Sequence, residues 1–181
     1  MIRYSFLLFM GLFLFISCSK MQDGDVKDNL FDRPYCNDPD AVNYNRDFPG
    51  TPDNTTCFYP KDLFAGTYLF KDTVYNADYE RDTILDYNIT IVAKNNTLLK
   101  LAGFCGQDSV TLIADRYYKA TVDSTTFQDS TKIAGQLLCR NTDTLSGIIT
   151  TDEADSNKIR FIWAIASDTG LNYHSGTAIK Q

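Results

Sequence analysis

Two hydrophobic patterns follow one another along this chain of 181 residues. Residues 6–16 form an unbroken apolar run, whereas after Phe64 the apolar residues fall in short runs rich in β-branched and aromatic side chains. These short runs recur at intervals of roughly 8–12 residues, which is typical of antiparallel all-β domains. No apolar stripe at helical spacing is sustained after residue 35. The pattern therefore predicts an all-β domain behind a separate N-terminal segment.

The short runs predict the following strands: Gly66–Tyr75, Leu85–Ala93, Thr97–Phe104, Ser109–Ala114, Tyr117–Val122, Lys132–Cys139, Leu145–Thr150, Lys158–Ala166 and Ser175–Lys180. In the second run, every other residue from Leu85 to Ile91 is apolar or aromatic, which gives one face for the core and one for solvent. Asn95 and Asn96 follow this run and are expected to take the positive φ angles of a tight hairpin turn. Adjacent strands are therefore predicted to be antiparallel neighbours.

An open meander of this many strands would leave exposed edges that promote aggregation, so closure into a small barrel is expected, with a β-sandwich as the alternative. Phe64-Ala65-Gly66-Thr67-Tyr68 and the closing segment Ser175–Lys180 resemble the start and end of a small lipocalin-like barrel common among Bacteroidota lipoproteins. The resemblance implies a barrel over residues 61–181, with an interior that holds one small apolar ligand or is filled by side chains. The aromatic residues expected in its core are Phe104, Tyr117, Phe127, Phe161 and Trp163.

The N-terminal apolar run has the features of an export signal. It follows Arg3 and contains eleven residues, fewer than the roughly 20 that cross a bilayer. Phe15-Ile16-Ser17-Cys18 resembles a lipobox, which implies removal of residues 1–17, lipid on Cys18 and a tether over residues 18–35. The expected location is the cell envelope, with the protein anchored in the outer membrane and facing the periplasm or the cell surface. The alternative is ordinary secretion with a free Cys18 thiol.

The chain has five cysteines, so lipidation of Cys18 leaves an even number. The remaining four are Cys36, Cys57, Cys105 and Cys139, which allow three connectivities. We favour Cys36–Cys57 and Cys105–Cys139 because each pair falls within one compositional segment. A zinc site is disfavoured because the sequence has no C-x-x-C pair and one histidine, His174.

Residues 36–60 form a small unit of their own. Its first half reads C-x-D-P-x-A-x-N-Y-N and resembles a cysteine-bounded module of exported Bacteroidota proteins. Its oxygen-bearing side chains are candidate calcium ligands or turn caps: Asp38, Asp40, Asn43, Asn45 and Asp53. Because their spacing is not that of an EF-hand, we favour turn capping and expect no cofactor.

Charge and motifs narrow the function. The chain carries 17 Lys and Arg against 23 Asp and Glu, a net charge of −6, and its bases are scattered, so no nucleic-acid partner is expected. No G-x-S-x-G or G-x-x-x-x-G-K-[ST] motif occurs, and His174 is interpreted as a turn or strand-end residue. These observations favour a non-catalytic envelope lipoprotein that binds a small apolar ligand, a glycan or an envelope protein. The alternative is a carboxylate-based hydrolase of envelope or extracellular glycans, which needs two converging aspartates.

Triplets of Asp, Ser or Thr, and an aliphatic residue or Thr recur six times. They are similar to sites at which some Bacteroidota O-glycosylate exported proteins. The resemblance implies glycan on the hydroxyls of Thr73, Thr83, Ser109, Ser124, Ser130 and Thr144. The competing interpretation is that each triplet ends a turn and starts a strand, which the fold would require in any case.

Overall fold

The computed structural model describes residues 30–105, 108–126, 130, 132–133, 135–137, 142–152 and 154–181. The predicted signal peptide, Cys18, Phe127 and Cys139 lie outside the described residues. Lipidation and the Cys105–Cys139 bridge therefore stay predictions. No helix within the described ranges is long and apolar enough to cross a bilayer.

Eight antiparallel strands close into a barrel in which each strand pairs with its neighbour along the chain and the last pairs with the first. The strands in chain order are β1 (Pro34–Tyr35), β2 (Thr51–Pro52), β3 (Gly66–Tyr75), β4 (Arg81–Ala93), β5 (Leu98–Cys105), β6 (Asp108–Ala114), β7 (Lys119–Val122), β8 (Thr125–Thr126), β9 (Lys132–Ile133), β10 (Gln136–Leu137), β11 (Thr144–Asp152), β12 (Asp155–Ser167) and β13 (Gly170–Lys180). The barrel consists of β3 to β7 and β11 to β13, and β7 pairs with β11 across the intervening chain. The predicted all-β meander barrel is confirmed, and the sandwich is not adopted.

The barrel strands coincide in part with the predicted runs, but β4, β12 and β13 begin three to five residues earlier than predicted, and β1, β2 and β8 were not predicted. Within the predicted strand Lys132–Cys139, the described residues form two short strands, β9 and β10, with Gly135 between them at φ +98°. A Cβ atom at Gly135 would lie 2.2 Å from the carbonyl oxygen of Leu145, so this close approach favours glycine. The hairpin between β4 and β5 is present, but the expectation of positive φ at Asn95 and Asn96 is wrong. Instead, Asn95 Oδ1 accepts hydrogen bonds from the backbone N–H groups of Thr97 and Leu98, at 2.9 and 2.7 Å.

The two ends of the barrel differ. At the end where β3 begins, helix α1 (Pro60–Phe64) buries Leu63 and Phe64 in the barrel core, and we call this the helix end. Pro60 suits the first turn of a helix, and Asp62 caps it by accepting a hydrogen bond from the Tyr59 N–H at 2.8 Å. The opposite end, where the chain between β7 and β11 starts and finishes, is the insertion end.

The cysteine-bounded module packs against the helix end. Its predicted Cys36–Cys57 disulfide is confirmed, and 3₁₀ helices span Leu30–Asp32 and Asn54–Thr56. Ordered structure starts before Cys36, because β1 pairs with β2 in parallel and Tyr35 is buried. Arg116, between β6 and β7, donates to the Pro39 carbonyl oxygen at 2.7 Å, and its guanidinium lies over the Tyr44 ring. A cleft of about 320 Å³ lies between module and barrel.

The barrel core is formed by inward-facing side chains of every strand, together with α1. Its members are Leu63, Phe64, Tyr68, Phe70, Ile89, Ile91, Leu99, Leu101, Val110, Leu112, Ala114, Ala120, Val122, Leu145, Ile149, Ile159, Phe161, Trp163 and Ala178. Gly176 lies at an inward position of β13, where a Cβ atom would lie 2.1 Å from the Lys71 carbonyl oxygen and 2.6 Å from the Phe70 ring. Glycine at this position therefore leaves room for the aromatic rings of the interior.

Candidate functional site

The candidate site is a group of polar side chains inside the barrel, on the half toward the insertion end. Strand β3 alternates strictly, so that Tyr68, Phe70, Asp72 and Val74 face inward while the residues between them face outward. Asp72 therefore occupies a core position. It is the only buried charged residue in the described part of the chain, with 1% of its surface exposed.

Asp72 is held by the two strands that flank β3. His174 of β13 places Nδ1 2.8 Å from Asp72 Oδ2, and the Tyr87 hydroxyl of β4 donates to the same oxygen at 3.0 Å. Burial, followed by the neighbouring charge of Asp72, raises the pKa of Tyr87, so the phenol keeps its proton and remains a donor. The acceptor role of Oδ2 assigns the proton of the imidazole to Nδ1. The hydrogen bonds to Asp72 Oδ2 thus link three adjacent strands, including the β13–β3 pair that closes the barrel.

Two buried polar atoms of the interior lack hydrogen-bond partners among the described residues. They are Asp72 Oδ1, an acceptor, and Trp163 Nε1, a donor. A buried polar atom without a partner costs about 1–3 kcal/mol, and more when the group is charged. Oδ1 therefore has unused capacity for a donor, and Nε1 has unused capacity for an acceptor.

Aromatic rings surround these atoms. The Phe104 ring lies centrally, with its centroid 4.6 Å from Trp163, 5.7 Å from Tyr87 and 6.1 Å from His174. The Phe70 ring packs against two of its neighbours, with its centroid 5.3 Å from that of Tyr87 and 4.5 Å from that of Phe161. Tyr87 and His174, which contact Asp72, thus pack beside the Phe104 ring, and electrostatic interactions in such a buried environment are only weakly screened.

Exposure of the inward-facing residues rises toward the insertion end. On β3 it increases from 0% at Tyr68 and Phe70 to 8% at Val74. On β4, Leu85 faces the same way as Tyr87 and is 46% exposed. The polar group therefore lies where the buried core gives way to partly exposed side chains.

The candidate calcium ligands form local hydrogen bonds in the module. Asp38 Oδ1 accepts from the Asp40 N–H, and Asp53 Oδ1 accepts from the N–H and hydroxyl of Thr55. Asn43 bridges the chain by accepting from the Phe58 N–H and donating to the Thr56 carbonyl oxygen. Asn45 adopts a positive φ of 53°. Within the described residues, no group of three His, Cys, Asp or Glu side chains is positioned to hold a metal ion.

The six hydroxyls of the Asp-Ser/Thr triplets all belong to chain segments at the insertion end or leading to it. They are Thr73 near the end of β3, Thr83 near the start of β4, Ser109 near the start of β6, Ser124 after β7, Ser130 in the insertion and Thr144 at the start of β11. Thr83, Ser109, Ser124 and Ser130 are exposed, whereas Thr73 and Thr144 are half-buried. In the first triplet, Asp72 faces the interior, so that its acid is not displayed at the surface.

Sequence reasoning found some core aromatics and missed the polar group. Phe161 and Trp163 are buried as predicted, but Tyr117 is 70% exposed in the turn between β6 and β7. The interpretation of His174 as a turn or strand-end residue is wrong, because it faces inward within β13. The signal that was available is the alternation of β3, which places a lone acid in an otherwise apolar inward series.

Comparison with known proteins adds little. No protein-family model and no curated protein matches the chain. The chain is similar to the solved structure of EF1p2_mFAP2b bound to DFHBI, with 11% identity and a TM-score of 0.41 over 67% of this chain and 97% of the other. A likeness at this level carries no argument about function.

Proposed function

We propose that this protein is a non-catalytic envelope lipoprotein that is anchored through Cys18 and binds a small ligand in the barrel half toward the insertion end. The observation that carries the binding proposal is the pair of unpartnered buried atoms, Asp72 Oδ1 and Trp163 Nε1. Burying a carboxylate costs free energy that an apolar residue of similar size avoids, and Oδ1 recovers none of this cost through a hydrogen bond within the described residues.

The lipocalin-like resemblance of the sequence supports the same proposal. It implies either a filled interior or one small ligand. Buried apolar side chains pack at the helix end, and the unpartnered atoms belong to Asp72 and to the core residue Trp163, which lie nearer the insertion end of their strands. The sequence led us to expect a small apolar ligand. We now propose a ligand with an apolar body and with polar groups that bond the two unpartnered atoms. The hydrolase alternative needs a second carboxylate that converges on Asp72, and among the residues whose side chains are described the hydrogen-bond partners of Asp72 are Tyr87 and His174.

Co-purification tests the binding proposal. Protein purified from membranes of its native host without denaturation is unfolded in organic solvent, and the released small molecules are identified by mass spectrometry. We expect a compound that is depleted from Asp72→Asn but retained by Asp86→Asn, because Asp86 is an exposed acid on the outer face of β4. The proposal is wrong if no compound co-purifies and if host extract leaves the emission of Trp163, the single tryptophan, unchanged.

Intact-mass analysis tests the anchor and the glycans. We expect wild-type protein in the membrane fraction, acylated at an N-terminal Cys18, and Cys18→Ala protein without the lipid mass. Additional mass on the polypeptide that is lost when Ser124 and Ser130 are replaced by Ala would support O-glycosylation at the insertion end. An unmodified Cys18 on soluble protein would contradict the anchor, and a polypeptide mass fully explained by lipid and cleavage would contradict the glycans.

A further inference from the structure

We infer that the ligand of the barrel interior is a small organic cation, in which an ammonium or similar group binds Asp72 Oδ1 and an apolar body contacts the rings of Phe104 and Trp163. This inference rests on the proposed function and specifies the chemistry of its ligand. Three features of the described residues carry it: the satisfied and unsatisfied oxygens of Asp72, the aromatic surroundings, and the charge at the insertion end.

The first feature is the uneven use of the carboxylate. Oδ2 accepts hydrogen bonds from Tyr87 and His174, whereas Oδ1 accepts none within the described residues. The Tyr87 hydroxyl keeps its proton because burial raises its pKa, and His174 Nδ1 lies 2.8 Å from the same oxygen. Oδ1 is therefore the oxygen that is open to a further donor. A cationic donor at Oδ1 would form a charge-assisted hydrogen bond, which is stronger than the bond that a neutral donor would form.

The second feature is the ring system around this oxygen. The Phe104 ring contacts those of Tyr87 and Trp163, and it is only half-buried. Aromatic faces attract ammonium and guanidinium groups by about 0.5–1 kcal/mol at exposed sites and by about 2 kcal/mol when water is excluded. The Trp163 Nε1 donor adds a place for an acceptor oxygen on the same ligand.

The third feature is the charge at the insertion end. The described strand ends and connections there carry Asp78, Glu80, Asp82, Asp123, Asp143 and Asp168. Arg81 and Lys132 are the bases in the same segments. Acids that line the approach to a buried site raise the local concentration of cations and increase their association rate. The acids at the insertion end and the carboxylate of Asp72 therefore both favour a positively charged ligand.

Two series of probes that differ in head group test the inference on the full-length protein. One series is phenethylamine, 2-phenylethanol and phenylacetate, and the other is n-butylamine, n-butanol and butyrate. Binding is followed by the emission of Trp163. We expect the amine of at least one series to bind about tenfold or more tightly than its alcohol, and the carboxylate to bind more weakly than both.

Variants locate the binding. Asp72→Asn removes the charge with little change of shape and should weaken amine binding by about 30-fold while leaving alcohol binding unchanged. Asp86→Asn serves as the matched control. It should change the affinity for the amine and the affinity for the alcohol by no more than about twofold. Circular dichroism verifies that each variant is folded. If Asp72→Asn does not fold, Phe104→Leu replaces it, and this variant should lower amine affinity more than alcohol affinity because it removes the ring face.

The outcomes separate the cation inference from the proposed function. An alcohol or carboxylate that binds as tightly as the amine contradicts the cation inference but leaves ligand binding intact. Amine binding that is insensitive to Asp72→Asn also contradicts it. If neither amine binds, the cation inference is wrong, and the co-purification experiment then decides the proposed function.

Discussion

Tyr87 shows how a single side chain serves both packing and polarity in the interior. Its ring packs against Phe70 and Phe104, and its hydroxyl donates to Asp72. The alternation of β4 assigns it to the inward face from sequence, but its hydrogen-bond partner lies fifteen residues earlier on β3. Position in the strand was thus predictable, whereas the contact depended on the register between the strands.

Replacing Tyr87 by Phe keeps the ring and removes the donor. The Asp72 carboxylate would then retain only His174, so we expect the free energy of unfolding to fall by about 1–3 kcal/mol. Urea denaturation measures the change. Tyr117→Phe is the control, since the Tyr117 hydroxyl is exposed and accepts from Arg116, and its effect should stay within about 0.5 kcal/mol. Equal losses for both variants would show that the buried hydrogen bond contributes nothing.

Tyr68 gives a pH-dependent prediction. Burial raises its pKa to about 12 in the folded protein, from an ordinary value of 10.0. Its contribution to stability is therefore fully present below pH 10 and is lost as pH rises from 10 to 12, where the unfolded state ionises first. The free energy of unfolding of wild type should fall more steeply over this interval than that of Tyr68→Phe. Tyr87 is present in both wild type and Tyr68→Phe, so its ionisation does not distinguish them. If the free energy of unfolding of the two proteins falls equally with pH, the loss does not come from Tyr68.

At the scale of elements, the strands were predictable because alternation and turn residues are local properties of the chain. β3 has the predicted bounds, and β4 extends to Arg81 because its ladder with β3 continues to that residue. The turn at Asn95 illustrates the limit of local reasoning. The residue type indicated a turn, but the side chain caps the turn through Oδ1 instead of supplying a positive φ angle.

Arg116 is one of the contacts between the module and the barrel, alongside Val42 and Phe58, which pack against the barrel core. It donates to the Pro39 carbonyl oxygen and lies over the rings of Tyr44 and Tyr117. We expect Arg116→Ala to loosen the module while the barrel stays folded, because the hydrogen bond and the ring contacts together contribute about 1–2 kcal/mol. Hydrogen exchange at residues 38–46 should accelerate.

Lys119→Ala is the matched control for this change. Lys119 lies on the same hairpin, and its ion pair with Asp115 is exposed and 3.9 Å long, so its removal should leave exchange in the module unchanged. Similar exchange rates in wild type and Arg116→Ala would show that other contacts hold the module on the barrel.

At the scale of the whole molecule, the barrel brings both ends of the long β7–β11 connection to the end where Cys105 terminates β5. Cys139 belongs to this connection, outside the described residues. We therefore expect a Cys105–Cys139 bridge, which peptide mapping without reduction would detect as a linked pair alongside Cys36–Cys57. Alkylation of both thiols in the native protein would contradict this prediction.

The sequence by itself determined the all-β class and the approximate positions of the barrel strands, and it favoured the Cys36–Cys57 bridge, because alternation, turn chemistry and cysteine spacing are all expressed within short segments. Only the tertiary structure decided that His174 meets Asp72 across a separation of 102 residues. The physical reason is closure: pairing of β13 with β3 places the last strand beside the first, and the register of that pair sets His174 within hydrogen-bonding distance of an inward-facing acid.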